Sequence, residues 1–315
     1  MMSVHSESIA GGVWPTMITP MHRDGTVDFE SLDRLVDWYL EAGVSGLFAV
    51  CQSSEMFDLT LDERVLVARR VVERTSGRSG VIVSGNIAGE HDAQYEELSR
   101  LADVGADAVV LVANRYADVG EGEEQWRARI ETILDTLPHT LRLGLYECPY
   151  PYHRILHGST LSWLASLGRF SFLKDTSCDP AIQRERSEIL QRNELRAFNA
   201  NAATLLSSLR LGYAGYSGVM ANFHPELYVW LCRNYEHYPQ QAERLQSFLG
   251  VASVFERQGY PMNAKYYLKS KGVLAGYATR ARPSATIAPS QRIELEQLDD
   301  LGRRFNLDLP VLGST

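Results

Sequence analysis

Eight times before residue 218, a short apolar run gives way to a longer segment with helical spacing. Gly46-Leu-Phe-Ala-Val50, Gly80-Val-Ile-Val-Ser84 and Leu141-Arg-Leu-Gly-Leu-Tyr146 have strand length with little apolar–polar alternation, and Gly105-Ala-Asp-Ala-Val-Val-Leu-Val112 leads into another such run. That is the pattern of strands covered on both faces. The first strand is read from Gly12-Val-Trp-Pro-Thr-Met-Ile-Thr19, ended by Pro20 and the turn Asp24-Gly25. Asp28 then caps a helix with Leu32, Leu35, Val36, Tyr39 and Leu40 along one face. Further helices are predicted over about 92–102, 123–135 and 161–167. The sixth strand carries Lys174, the seventh is weak near Leu195-Arg-Ala-Phe198, and the eighth lies within Gly212-Tyr-Ala-Gly-Tyr-Ser-Gly218. Alternating strands and helices demand parallel pairing with right-handed crossovers, and eight such units suit closure. The expected fold is therefore an α/β (β/α)8 TIM barrel over residues 1–237. An open dinucleotide-binding sheet is disfavoured, because no G-x-G-x-x-G follows the first strand. From about residue 238 only helices are predicted, over about 240–255, 264–271 and 291–305, as a C-terminal helical extension, 238–315.

A barrel of this kind places its chemistry where strands end and loops begin. Those ends supply Gln52, Ser53, Ser54 and Glu55 after strand two, and Tyr116 after strand four. Tyr146 closes strand five, Lys174 and Thr176 strand six, Asn199 and Asn201 strand seven, and Ser217 and Asn222 strand eight. Lysine, tyrosines and hydroxyls without a His/Asp/Glu cluster fit imine chemistry better than hydrolysis. An ammonium half-sunk in a barrel wall loses solvation, its pKa falls, and the neutral amine can attack a ketone. The plain alternative is a Lys174–Asp175 pair closing a strand in water. Tyr146 likewise has a plain alternative, packing at the barrel rim, and Ser53 and Ser54 have turn formation. His153 and His157 are spaced for one helix face but lack a carboxylate companion, so no metal site is expected. Cys51, Cys148 and Cys178 are expected as small pocket-wall residues rather than nucleophiles.

The chain resembles the pyruvate-dependent class I aldolases, the superfamily of dihydrodipicolinate synthase, N-acetylneuraminate lyase and the keto-deoxy-sugar-acid aldolases. The resemblance is carried by Leu173-Lys174-Asp175, by Tyr146-Glu-Cys-Pro149, by Asp24-Gly25-Thr-Val-Asp28 with Gly105-Ala-Asp-Ala-Val-Val, and by Gly212-Tyr-Ala-Gly215 leading to Ala221-Asn222. It implies that Lys174 forms a Schiff base with a 2-oxo acid and that Tyr146 carries the proton. It implies Ser53 at the substrate carboxylate, and Tyr116 at the tyrosine that tetrameric relatives insert into a neighbour's site. No cofactor is implied, and a homotetramer or homodimer is.

Departures from the family pattern matter as much. Cys51-Gln52-Ser53-Ser54-Glu55 stands for G-T/S-T-G-E, so Gln52 occupies a relay-hydroxyl position, and an amide cannot pass a proton as a hydroxyl does. Tyr150-Pro-Tyr152 stands where dihydrodipicolinate synthase keeps a carboxylate-binding arginine, which argues against that activity. Ala200-Asn201-Ala202 also alters the distal loop. A net charge of -8 argues against nucleic acid or an anionic membrane as partner and leaves small anionic substrates possible; the resemblance implies a small 2-oxo acid. Four cysteines without metal spacing and a polar start lacking an apolar h-region make a cytoplasmic protein the expectation. The resulting reading is a Schiff-base lyase. A sugar-acid dehydratase using the same imine and a catalytically weakened keto-acid binder are the alternatives.

Overall fold

The structure, a computed structural model, describes residues 9–191, 193–284 and 286–310. Most of the polar opening stretch and the last residues of the expected extension lie outside that range.

Strands β1 (Gly12–Val13), β2 (Gly46–Ala49), β3 (Gly80–Val83) and β4 (Ala108–Val112) are followed by β5 (Leu143–Tyr146), β6 (Phe170–Asp175), β7 (Arg196–Asn199) and β8 (Gly215–Tyr216). Every ladder is parallel, in the order β1-β8-β7-β6-β5-β4-β3-β2. The helices between them are α1 (Phe29–Glu41), α2 (Leu61–Thr75), α3 (His91–Ala102) and α4 (Glu123–Thr136), then α5 (Gly158–Ser166), α6 (Pro180–Leu190) and α7 (Leu205–Arg210), with α8 (Pro225–Asn234) after the last strand. The barrel closes between β1 and β2 through a parallel bridge of Thr16 with Phe48. Two backbone bonds support it, Phe48 N–H to Pro15 at 3.1 Å and Met17 N–H to Phe48 at 3.0 Å. The first strand is thus shorter than the eight residues expected. Pro15 has no N–H to give a ladder, so the chain continues by single bonds rather than as a strand.

The floor of the barrel is aromatic. Trp14 meets Phe172 and Phe198 edge-on, at 5.8 and 6.1 Å between ring centres. Room for its indole is made by Gly46 and Gly80, where an added Cβ would come within 2.1 and 2.5 Å of the ring. The glycines that open strands two and three are therefore demanded by a tryptophan on strand one.

Beyond α8 come α9 (Pro239–Ala252), a 3-10 turn at Ser253–Arg257, α10 (Met262–Ser270) and α11 (Pro289–Asp308). The predicted helix over 240–255 thus stops short as an α-helix: Ala252 is its last residue and the next five form the tighter turn. Among the contacts that fasten this extension to the barrel, which include the Arg280–Glu63 ion pair at 2.6 Å and Gln246 bonded to Leu206 and Ala202, one carboxylate gathers the most donors. Glu55, in the loop after β2, accepts from Lys265 Nζ of α10, from Thr279 Oγ1 at 2.5 Å, and from the Arg280 and Ala281 N–H groups at 2.7 and 2.9 Å. Among the described residues no helix is long and apolar enough to cross a membrane.

Candidate active site

Side chains alternate across a strand, and on β6 the alternation separates neighbours. Phe172 points into the barrel, stacked on Phe198 with ring centres 4.5 Å apart. Lys174, two residues on, points the same way. Asp175 points outward, where Arg186 of α6 meets it at 3.0 Å and the Tyr213 hydroxyl donates to it at 2.5 Å. The adjacent Lys174–Asp175 pair imagined from sequence is therefore split between the two faces of the wall.

Register then sets the partner of the lysine. Tyr146 of β5 pairs directly with Lys174, and the ammonium sits 4.2 Å from the centre of the tyrosine ring. Lys174 is 4% exposed and makes no salt bridge among the described residues. Burial pulls its pKa below the ordinary lysine value, against the opposing pull of the Cys51 and Cys148 thiols and the Glu256 carboxylate. The Tyr146 hydroxyl donates to Gln52 Oε1 at 3.4 Å, and burial raises its pKa. The Cys148 thiol donates to the same oxygen at 3.6 Å. Gln52 thus ends the hydrogen-bond path from Tyr146.

A cavity of about 780 Å³ lies over this pair at the C-terminal ends of the strands, within the usual size for a small-ligand site. Gln52 and Ser53 form one wall, Tyr150 and Phe57 another, and Glu256 and Tyr260 come from the helical extension. Ser53 donates to Thr16 Oγ1 at 3.1 Å, and both hydroxyls cluster with Tyr260, which also accepts from Asn222 Nδ2 at 3.1 Å. The loop holding Gln52 and Ser53 is bracketed by left-handed backbone at Val50 (φ 54°) and Glu55 (φ 59°). For the β-branched Val50 that conformation is strained, so surrounding bonds must hold it.

Other residues singled out from the sequence fall elsewhere. Ser54 donates to the Met17 carbonyl at 2.6 Å and accepts from Cys51 N–H at 3.1 Å, stitching the loop to the first strand rather than facing the cavity. Ser217 is fully buried, with its hydroxyl unpartnered among the described residues, and does not line the cavity. Tyr116 is turned into its own core, 1% exposed, edge-on to Trp126 and accepting from Asn86 Nδ2 at 2.8 Å. His153 and His157 do not share a helix: His157 precedes α5, and His153 lies in a loop with Nε2 2.8 Å from Thr176 Oγ1. Of the three cysteines, Cys178 reaches the cavity and Cys51 and Cys148 lie beneath its wall.

Sequence reading missed two features. Glu147, next to Tyr146, faces outward and is gripped by Arg186 through bonds of 2.9 and 2.6 Å, so one guanidinium braces both strands of the pair from behind. The signal was available: Gln183, Arg186, Ser187 and Leu190 form the buried stripe of α6, and a cation on such a stripe calls for an acidic partner. Glu256 and Tyr260 had no comparable signal, because nothing in a helical period shows that a segment folds back over the barrel mouth.

The dihydrodipicolinate synthetase family model matches residues 10–299. A 4-hydroxy-tetrahydrodipicolinate synthase of Laribacter hongkongensis is 32% identical over 222 residues, 69% of this chain and 72% of the relative. One from Cellvibrio japonicus is 30% identical over 70% and 74%. Among solved structures, a dihydrodipicolinate synthase of Bacillus anthracis superposes with a TM-score of 0.83 at 20% identity, covering 92% of this chain and 97% of the other. The Acinetobacter baumannii dihydrodipicolinate synthase, solved with pyruvate, gives 0.82 at 23% identity, over 94% and 99%. The structural likenesses establish the barrel. The family match, spanning nearly the whole chain, establishes more: this protein belongs to the dihydrodipicolinate synthetase family, whose members are lyases of the class I aldolase type working through a Schiff base with pyruvate.

Proposed function

We propose that this chain is a Schiff-base lyase for pyruvate or a pyruvate-derived aldol, with Lys174 as the amine and Tyr146 as proton carrier. One observation carries the reading: a buried lysine without a carboxylate against it, facing a tyrosine ring at the floor of the cavity. Lost solvation makes the neutral amine accessible. Its lone pair attacks the C2 ketone, water departs, and the resulting iminium accepts the electron pair released when the C3–C4 bond breaks. The protonated imine is itself the electron sink, so the chemistry calls for no metal or cofactor. Ser53, at the wall beside Gln52, offers its hydroxyl to the substrate carboxylate. Phe57 and Tyr150, edge-on at 4.9 Å, wall the far end of the cavity, which favours an aldehyde with an apolar substituent over the second substrate of dihydrodipicolinate synthesis. A homotetramer or homodimer, from the family likeness, and a cytoplasmic setting, from four cysteines read as free thiols, belong to the same proposal.

Gln52 supports a second reading, a keto-acid-binding member with weakened turnover, because the Tyr146 proton path ends on an amide. Incubation with pyruvate and borohydride followed by intact mass tests the first step. Wild type should gain a reduced adduct and Lys174→Ala should not; an adduct persisting in Lys174→Ala overturns the assignment. Tyr146→Phe should slow adduct formation by roughly 10²–10⁴-fold. Adduct formation without cleavage of any 2-oxo acid aldol would favour the binding reading.

A further inference from the structure

The cavity contains a carboxylate that neither the strand-end reading nor the proposed roles of Lys174 and Tyr146 use. Glu256 sits on the 3-10 turn Ser253–Arg257, in the extension rather than the barrel. The turn is held by Asn263 Nδ2 donating to the Phe255 carbonyl at 2.7 Å and by Gln258 N–H donating to the same oxygen at 3.0 Å. Its carboxylate lines the cavity that contains Lys174 and Tyr146. No hydrogen bond or ion pair engages it among the described residues.

The charged and titratable groups around it come from several elements. Lys174 of β6 and the neighbouring Arg257 favour its ionised form. Tyr216 of β8, Tyr228 of α8 and Tyr260 feel its charge, and Arg282 shares the cavity. Burial outweighs the two cations and pushes the carboxyl pKa up to about 7. An acid poised near neutrality, unpaired and in the same cavity as a buried amine, is suited to proton transfer. The need for one is local, since the Tyr146 hydroxyl donates to an amide oxygen that cannot relay a proton to it from solvent.

Resting on the lysine assignment, we propose that Glu256 is a further catalytic residue, the acid that drives water out of the carbinolamine. Lys174 Nζ bonds to C2, the carbonyl pair moves onto oxygen, and proton transfer from nitrogen to oxygen gives the neutral carbinolamine. The C2–O bond then breaks with the Glu256 proton going to that oxygen. The nitrogen lone pair completes C=N, water leaves, and Glu256 is left as carboxylate facing the iminium.

The test is the rate of trapped-adduct formation with pyruvate, sampled by timed borohydride quenching across pH. In wild type the rate should fall on the acid side as Lys174 is protonated, and on the alkaline side as Glu256 loses its proton. Glu256→Gln should lower the rate roughly 10²-fold and remove the alkaline limb. If Glu256 merely raised the charge on Lys174, the variant would keep both limbs and move the acid limb to lower pH. That outcome, or an unchanged profile, overturns the proposal while leaving the lysine assignment intact. Absence of any wild-type adduct would overturn both. Folding is checked by melting at pH 8, where removing a buried carboxylate of raised pKa should leave Glu256→Gln at least as stable as wild type.

Discussion

Lys174 and Lys265 are both buried, at 4% and 0% exposure, and burial draws the pKa of each downward. Their surroundings separate them. Lys265 holds the Glu55 carboxylate and donates to the Ala278 carbonyl at 2.8 Å, so its charge is neutralised and its protons are placed. Lys174 has the face of a tyrosine and an open cavity. Burial alone therefore does not distinguish the two lysines. A carboxylate in contact stabilises the ammonium and spends the amine on structure, whereas a ring face leaves the neutral form within reach.

The sharpest way to break this contrast is to delete Lys174, the member proposed to react. In Lys174→Ala the borohydride adduct should vanish altogether rather than move to Lys265, and peptide mapping of any residual adduct would show a transfer. Next in size is the structural pair. Glu55→Gln strips the counter-ion from a fully buried ammonium, which should cost about 3–5 kcal/mol in chemical denaturation. The double change Glu55→Gln with Lys265→Met should cost less than the two single costs added together. Lys174→Met should behave oppositely, raising stability by about 1 kcal/mol near pH 7, because it removes a buried charge that lacks an ionic partner. A loss there would mean that Lys174 is structurally paired after all.

The smallest effect is in pH dependence. Below its folded-state pKa, Lys174 is protonated in both states and its burial cost is carried in full. Between that value and the unfolded value near 10.5, the unfolded chain binds the extra proton, so stability climbs with pH. Denaturation of Lys174→Met across pH 7–10 should show a shallower climb than wild type. An equal slope would assign the titration to Lys265 alone.

The contrast also marks how far the sequence could be read. The placement of Lys174 and Tyr146 at adjacent strand ends was legible because apolar runs show where strands stop and the family motifs fall there; their direct pairing is a matter of register, which the ladder alone shows. The partner of Lys265 was not legible, since Glu55 sits in an early loop and Lys265 on a late helix with no shared period. Pro15 shortened the first strand for a reason visible in the sequence, its missing N–H. The end of α9 was less visible: the periodic pattern runs on through residue 255 while the hydrogen bonding changes to a 3-10 turn. Tyr116 shows a different gap. Its place at the end of β4 was readable, but whether the ring turned outward or into the core depended on Asn86 and Trp126, which come from other elements.

The Glu55 clasp has a consequence for the order in which the protein is made. Its donors come from residues 265 to 281, up to 226 positions later in the chain. During synthesis the first two strands leave the ribosome long before these donors exist, so water alone solvates the carboxylate until they have been added. A nascent barrel therefore has a mouth lacking both its clasp and Glu256 until residues 256 to 281 have been added.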